Sequence, residues 1–178
     1  MIEQEKLLRA IKEGHVDRIK KLIDAGADVN AQNSEGWTAL HTACYWEHHA
    51  IVCLLLDYGA EARARDNWDE TPLHVACEKG HGDTVCVLLE RGAGVNVKSK
   101  WGYTPLHYAC LHNRTPVVRL LLEKGADPNT RDKDGRTPLD LALRFPTSNP
   151  ARETVLDLFR EYAPEMVMEA WCAGGPAR

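Results

Sequence analysis

Apolar residues fall in short runs at helical spacing, and glycine cuts each run. Leu73, Ala76 and Cys77 fall at the spacing of one helix face. Thr71 stands where a helix N-cap belongs, and Pro72 takes the first helical position, where its missing N–H costs nothing. Gly80 ends that segment. Val85, Val87, Leu88 and Leu89 then build a second, more apolar helix, and Gly92 suits its stop. Farther along, Thr115 marks another second helix as its cap, with Pro116 behind it.

This unit recurs. Thr38-Ala39-Leu40-His41, Thr71-Pro72-Leu73-His74, Thr104-Pro105-Leu106-His107 and Thr137-Pro138-Leu139-Asp140 each start 33 residues after the last. Ala43, Ala76, Ala109 and Ala142 keep the same step, as do Gly26-Ala27, Gly59-Ala60, Gly92-Ala93 and Gly125-Ala126. One step back from Thr38 falls on Glu5, with Ala10 at the alanine position. The count is therefore five units, near 5–36, 37–69, 70–102, 103–135 and 136–163. Helix pairs this short cannot bury their apolar faces alone, so the units must stack.

The end units look like caps. In the first, Lys6, Arg9, Lys20 and Lys21 accompany a stripe of Leu7, Ile11, Ile19, Leu22 and Ile23. In the last, Leu158-Phe159 align with Leu121-Leu122 at an offset of 37, which puts four extra residues in 144–152 beside Pro146 and Pro150. Tyr162 replaces the expected glycine. The tail, 164–178, lies outside the repeats. Its Met166, Val167, Ala170 and Trp171 would form a short helical stripe over the last repeat, and Gly174-Gly175-Pro176 reads as a frayed end.

A 33-residue period carrying T-P-L-H-x-A resembles the ankyrin-repeat family, from about Glu5 to Ala163. The resemblance implies an all-α solenoid of five stacked helix–turn–helix repeats with atypical capping repeats, occupying residues 1–163. It implies that His41, His74 and His107 are structural, bonding across to loops and to the capping threonine. It further implies non-catalytic recognition of another protein on a concave face, made by the turn before each Thr-Pro-Leu-His and the exposed end of the first helix. Repeat numbering puts Trp37, Tyr45 and Trp46 on that face, then Trp68, Glu70 and Lys79, then Lys100, Trp101, Tyr103 and His112, and finally Arg136 and Arg144. Tryptophan and tyrosine are the usual anchors of interfaces. The competing reading has turn aromatics lying flat on the neighbouring repeat and lengthening the core, Trp37 and Tyr103 foremost. The family also places Asn30, Asn96 and Asn129 at a loop position that accepts hydroxylation.

Composition narrows the rest. The net charge of -4 argues against a phosphate-backbone binder, so no nucleic-acid partner is expected. No apolar run approaches the roughly 20 residues of a membrane span. The opening Met1-Ile2-Glu3-Gln4-Glu5-Lys6 lacks the apolar stretch of a secretory signal. The expectation is a monomeric, cytoplasmic protein in a reducing compartment. Charge on the implied face is polarised: Glu35, Asp69 and Glu70 precede Lys100, Lys133, Arg136 and Arg144.

Cys44, Cys77 and Cys110 keep the 33-residue step, and so do Cys53 and Cys86. Equivalent positions in stacked repeats lie about 8–10 Å apart, beyond the roughly 7 Å between Cα atoms that a disulfide allows. A Cys44–Cys53 pairing within one repeat stays open. Histidines and cysteines strung along a stack do not converge on a metal. No nucleophile elbow, zinc-protease motif, P-loop or dinucleotide fingerprint occurs, so neither an enzyme nor a cofactor is expected. Two rival classes remain: an adaptor or regulatory subunit docking through the tail 164–178, and a metal protein or enzyme using the Cys/His set.

Overall fold

The structure is a computed structural model, and it describes residues 2–144, 146 and 150–165. The described residues form ten α-helices that pair into five hairpins: α1 (Ile2–Lys12) with α2 (Val16–Asp24), α3 (Ala39–Tyr45) with α4 (His49–Asp57), α5 (Pro72–Lys79) with α6 (Gly82–Glu90), α7 (Pro105–Leu111) with α8 (Thr115–Glu123), and α9 (Pro138–Ala142) with α10 (Pro150–Tyr162). The first helices of the hairpins pack in a row, α1 on α3, α3 on α5, α5 on α7 and α7 on α9. The second helices make an outer row, α4 on α6, α6 on α8 and α8 on α10. This is the all-α solenoid that the period implies.

The motif residues make the core. Leu40, Leu73, Leu106 and Leu139 are buried between the rows, with Ala43, Ala76, Ala109 and Ala142 beside them. Burying a leucine contributes roughly 2 kcal/mol, and alanine lets adjacent helices approach. At the N-terminal end Leu7, Ile11 and Ile19 are fully buried while Lys6, Arg9, Lys20 and Lys21 are exposed, as a capping unit requires. At the other end α9 has 5 residues and α10 has 13, with the insertion between them. The apolar stripe expected at Met166, Val167, Ala170 and Trp171 lies outside the described residues. None of the described helices is long and apolar enough to cross a membrane.

Three of the repeats, the second, third and fourth, are each tied to the next by the motif histidine. The Thr71 backbone N–H donates to Nδ1 of His74 at 3.0 Å, and the Thr71 hydroxyl meets the same nitrogen at 2.9 Å. Nε2 then donates to the carbonyl of Val97, at 3.0 Å, and to that of Tyr103 in the following repeat, at 3.2 Å. His41 caps Thr38 and reaches the Glu70 carbonyl at 3.2 Å, and His107 caps Thr104 and reaches that of Arg136 at 3.2 Å. Carbonyl acceptors require a proton on Nε2, so Nδ1 is left free to accept from the cap. All three rings are fully buried, and that burial holds them neutral, with the pKa of His74 lowered to about 4.

A second set of ties runs backward. His48, His81 and Arg114 are the N-cap residues of α4, α6 and α8. Their side chains donate to the carbonyls of Lys12, Cys44 and Glu78 at 3.3, 2.9 and 2.9 Å, each in the preceding repeat. This corrects the placement of one cap. Thr115 is the first residue of α8, not its cap, because the capping position is given to the side chain that bridges repeats. The Thr115 hydroxyl is buried without a partner among the described residues.

The neutral histidines predict an acid-labile stack. A group whose pKa falls on folding stabilises fully above its unfolded value, near 6.5, and the contribution is lost as pH drops toward the folded value. Urea unfolding midpoints should therefore fall between pH 6.5 and 4. His74→Gln keeps a capping-box residue but cannot titrate, and should remove on the order of 2 kcal/mol of that pH dependence. An unchanged pH profile in the variant would contradict the neutral bridging role.

Candidate protein-binding face

The turn before each Thr is a small hairpin whose backbone is tightly fixed. Asn33, Asp66, Ser99 and Asp132 donate their N–H to the carbonyls of Trp37, Glu70, Tyr103 and Arg136, at 3.0, 3.0, 2.8 and 2.9 Å. Asp66 Oδ1 also accepts from the N–H of Trp68 and of Glu70, both at 2.9 Å, and Asn33 and Asp132 brace their loops in the same way. Neighbouring loops then join through backbone bonds: Asn67 N to Glu35 O at 3.2 Å, Lys100 N to Trp68 O at 2.8 Å and Lys133 N to Trp101 O at 3.0 Å. Gly36 and Gly102 sit at φ +79° and +81°, and a Cβ there would meet the next loop's backbone at 2.6 and 3.0 Å. A side chain at either position would force the loops apart.

On this frame the aromatic residues divide into two groups. Trp37 is half-buried: its indole N–H donates to Asp66 Oδ2 at 3.0 Å, and its ring lies over His41, with centroids 6.2 Å apart and planes 23° apart. Tyr103 is stacked on His107 at 5.5 Å and 11°, and its hydroxyl accepts from Arg136 at 2.8 Å. Both rings pack against the core and lengthen it. Trp46, Trp68 and Trp101 remain 48%, 38% and 56% exposed, with Tyr45 at 38%. Tyr45 touches Trp37 and Trp46, both at 5.5 Å, so the first three aromatics form one cluster.

The charged residues divide similarly. Arg136 is held by Asp132 at 2.8 Å and Asp134 at 2.5 Å. Lys79 lies 4.1 Å over the Tyr45 ring and 3.0 Å from Glu78. Glu70 is half-buried and accepts a hydrogen bond from the Tyr108 phenol, and burial raises its carboxyl above the usual range. Lys100, Lys133, His112 and Arg144 are exposed and make no ion pair among the described residues. Trp101, Tyr103, Lys133, Asp134 and Arg136 line a cleft of about 330 Å³ between adjacent loops.

Tyr108 is the participant that sequence reasoning missed. It is 8% exposed, edge-on to His74 at 5.6 Å and to Tyr103 at 5.5 Å. The available signal was a break in pattern, because the residue after the motif histidine or aspartate is Thr42, Val75 or Leu141 in the other repeats. A phenol at that inner position needs a polar partner, and Glu70 supplies it.

The remaining candidates have local roles. Cys44, Cys77 and Cys110 are free and fully buried, and burial pushes their thiols well up. Cys53 and Cys86 are free and half-exposed, with Cys53 Sγ 3.7 Å from His49 Nε2. Asn30 and Asn96 spend their carboxamides bridging repeats, donating to the Gly59 and Gly125 carbonyls at 3.1 and 3.2 Å and accepting from Glu61 and Asp127 N–H. Among the described residues no three His, Cys, Asp or Glu side chains are grouped to hold a metal ion.

Comparison with known proteins agrees with this architecture. A family model described as ankyrin repeats (3 copies) matches residues 7–99, and one described as ankyrin repeats (many copies) matches 95–142. The chain is similar to the mouse ankyrin repeat domain-containing protein 40, with 43% identity over 54 residues, 30% of this chain. It is also similar to the Notch-regulated ankyrin repeat-containing protein of Xenopus tropicalis, with 38% identity over 52 residues, 29% of this chain. The matched region spans 15% of the first relative's length and 46% of the second's.

The two groups of aromatics should respond differently to truncation. Trp37→Ala removes core packing and leaves Asp66 without its indole donor, and should cost about 2–4 kcal/mol in urea unfolding. Trp68→Ala and Trp101→Ala should each cost less than about 1 kcal/mol. Equal losses at all three positions would contradict the division.

Proposed function

Because this chain belongs to the ankyrin-repeat family, we propose that it is a non-catalytic recognition module binding a protein partner on the face that carries Trp46, Trp68 and Trp101. Ankyrin repeats generally mediate protein–protein interaction. The observation that supports this face is the exposure of three tryptophans on loops and helix ends whose backbone is already fixed. Large exposed aromatics are costly in water and are the residue type that anchors interfaces. A preformed frame binds with little ordering cost. Tyr45 broadens the N-terminal anchor, while Lys100, Lys133, His112 and Arg144 set orientation and on-rate. Glu70, Lys79, Tyr103, Arg136 and Trp37 act from beneath, holding the exposed residues in place. The same proposal sets the chain in a reducing cytoplasm, where three fully buried free thiols serve simply as packing.

Immobilised wild type and a Trp46→Ala/Trp68→Ala/Trp101→Ala variant, each exposed to a cell lysate, test the reading by mass spectrometry of captured proteins. Partners should be lost from the variant while its helical circular dichroism persists. Equal capture by both would refute the face, and a collapsed helical signal would assign the tryptophans to the core instead.

A further inference from the structure

Resting on the reading that the loop face binds protein, we infer that its occupant is a proline-rich segment in polyproline II conformation, with acidic residues set against Lys100 and Lys133. Spacing is the first ground. Trp68 and Trp101 hold the same position in adjacent loops that are hydrogen-bonded to each other, so they stand one repeat step, roughly 8–10 Å, apart. A polyproline II helix has three residues per turn and rises about 3.1 Å per residue, so every third side chain returns to one face after about 9.3 Å. A β-strand returns to the same face after about 6.6 Å and falls out of step.

Hydrogen bonding is the second ground. Trp46, Trp68 and Trp101 are exposed, and their indole N–H groups make no hydrogen bond among the described residues, so three donors are unspent. An α-helix would match the step over seven residues, but its carbonyls are already spent internally. Polyproline II has no internal hydrogen bonds, so its carbonyls are free to accept. Its flat proline rings suit aromatic grooves, and its preset backbone lowers the ordering cost.

Charge is the third ground. Lys100 and Lys133 flank the two tryptophans without an ion pair among the described residues, and Lys133 borders the cleft with Trp101. The acidic neighbours are already engaged: Asp134 with Arg136 at 2.5 Å, and Asp69 with Arg65 at 3.7 Å. The unmet charge at this end of the face is therefore positive, and it favours Asp or Glu on the partner.

The probe is a phage-displayed library of random dodecapeptides, selected on the intact wild-type chain, on Lys100→Glu/Lys133→Glu and on Trp68→Ala/Trp101→Ala. Circular dichroism checks that each variant is folded. Wild type should enrich peptides with prolines three residues apart and a nearby Asp or Glu. The lysine variant should weaken those peptides about tenfold in fluorescence anisotropy and select Lys or Arg instead. The tryptophan variant should not retain them. Enriched peptides that lack the three-residue proline spacing, or that ignore the lysine reversal, would overturn the inference. If such peptides still depend on the tryptophans, the binding face itself survives. If no sequence is enriched on wild type, the inference also fails, and the lysate comparison decides the face independently.

Discussion

A buried neutral imidazole carries the most demanding task in this stack. In each of three repeats it accepts from the N-cap threonine on one side and donates to the next repeat's backbone on the other. One side chain thus ends a helix, satisfies a buried carbonyl and sets the distance between neighbours. Only a ring with one bare and one protonated nitrogen serves both directions. Protonation would turn the accepting nitrogen into a donor facing donors. Removing either partner would leave a buried polar group unpaired, which costs about 1–3 kcal/mol. The last motif carries Asp140 in place of histidine. It still caps Thr137, at 2.8 Å.

The bridges explain why the loops are rigid and why that rigidity matters. The carbonyls that receive the histidines belong to Glu70, Tyr103 and Arg136, the closing residues of the hairpin turns. The same turns are braced by Asp66 and Asp132 and linked to one another through backbone bonds. These ties act on the backbone, so the outward side chains at the turns are left for contact. Trp68 and Trp101 occupy such positions: their backbones belong to the bracing network and their side chains make no hydrogen bond in it.

The helices, their order and most of their caps were legible in the sequence because the determinants are local and recur every 33 residues. A Thr-Pro pair, an apolar stripe and a glycine each act within one turn of chain. The fates of the aromatics were legible in part: Trp37 and Tyr103 are the rings singled out to lengthen the core, and they do, but the partners that fix them were not legible. Trp37, directly before Thr38, is drawn inward because Asp66, 29 residues on, accepts its indole N–H. Glu70 looked like a free surface charge and is instead the acceptor for Tyr108, 38 residues away. Thr115 looked like a cap by composition, but the residue before it holds that place because Arg114 reaches back to Glu78. In each case the deciding partner lies 29 to 38 residues away, beyond the range of local pattern.

The central claim is that the turns and the exposed ends of the first helices, and not the outer helices, form the docking surface. Amide hydrogen–deuterium exchange of the chain, alone and with a captured partner, tests this most directly. The account predicts added protection in the turns at 66–70, 99–103 and 132–136 and at the ends of α3 and α7, with α4, α6 and α8 unchanged. Protection confined to the outer helices would contradict it.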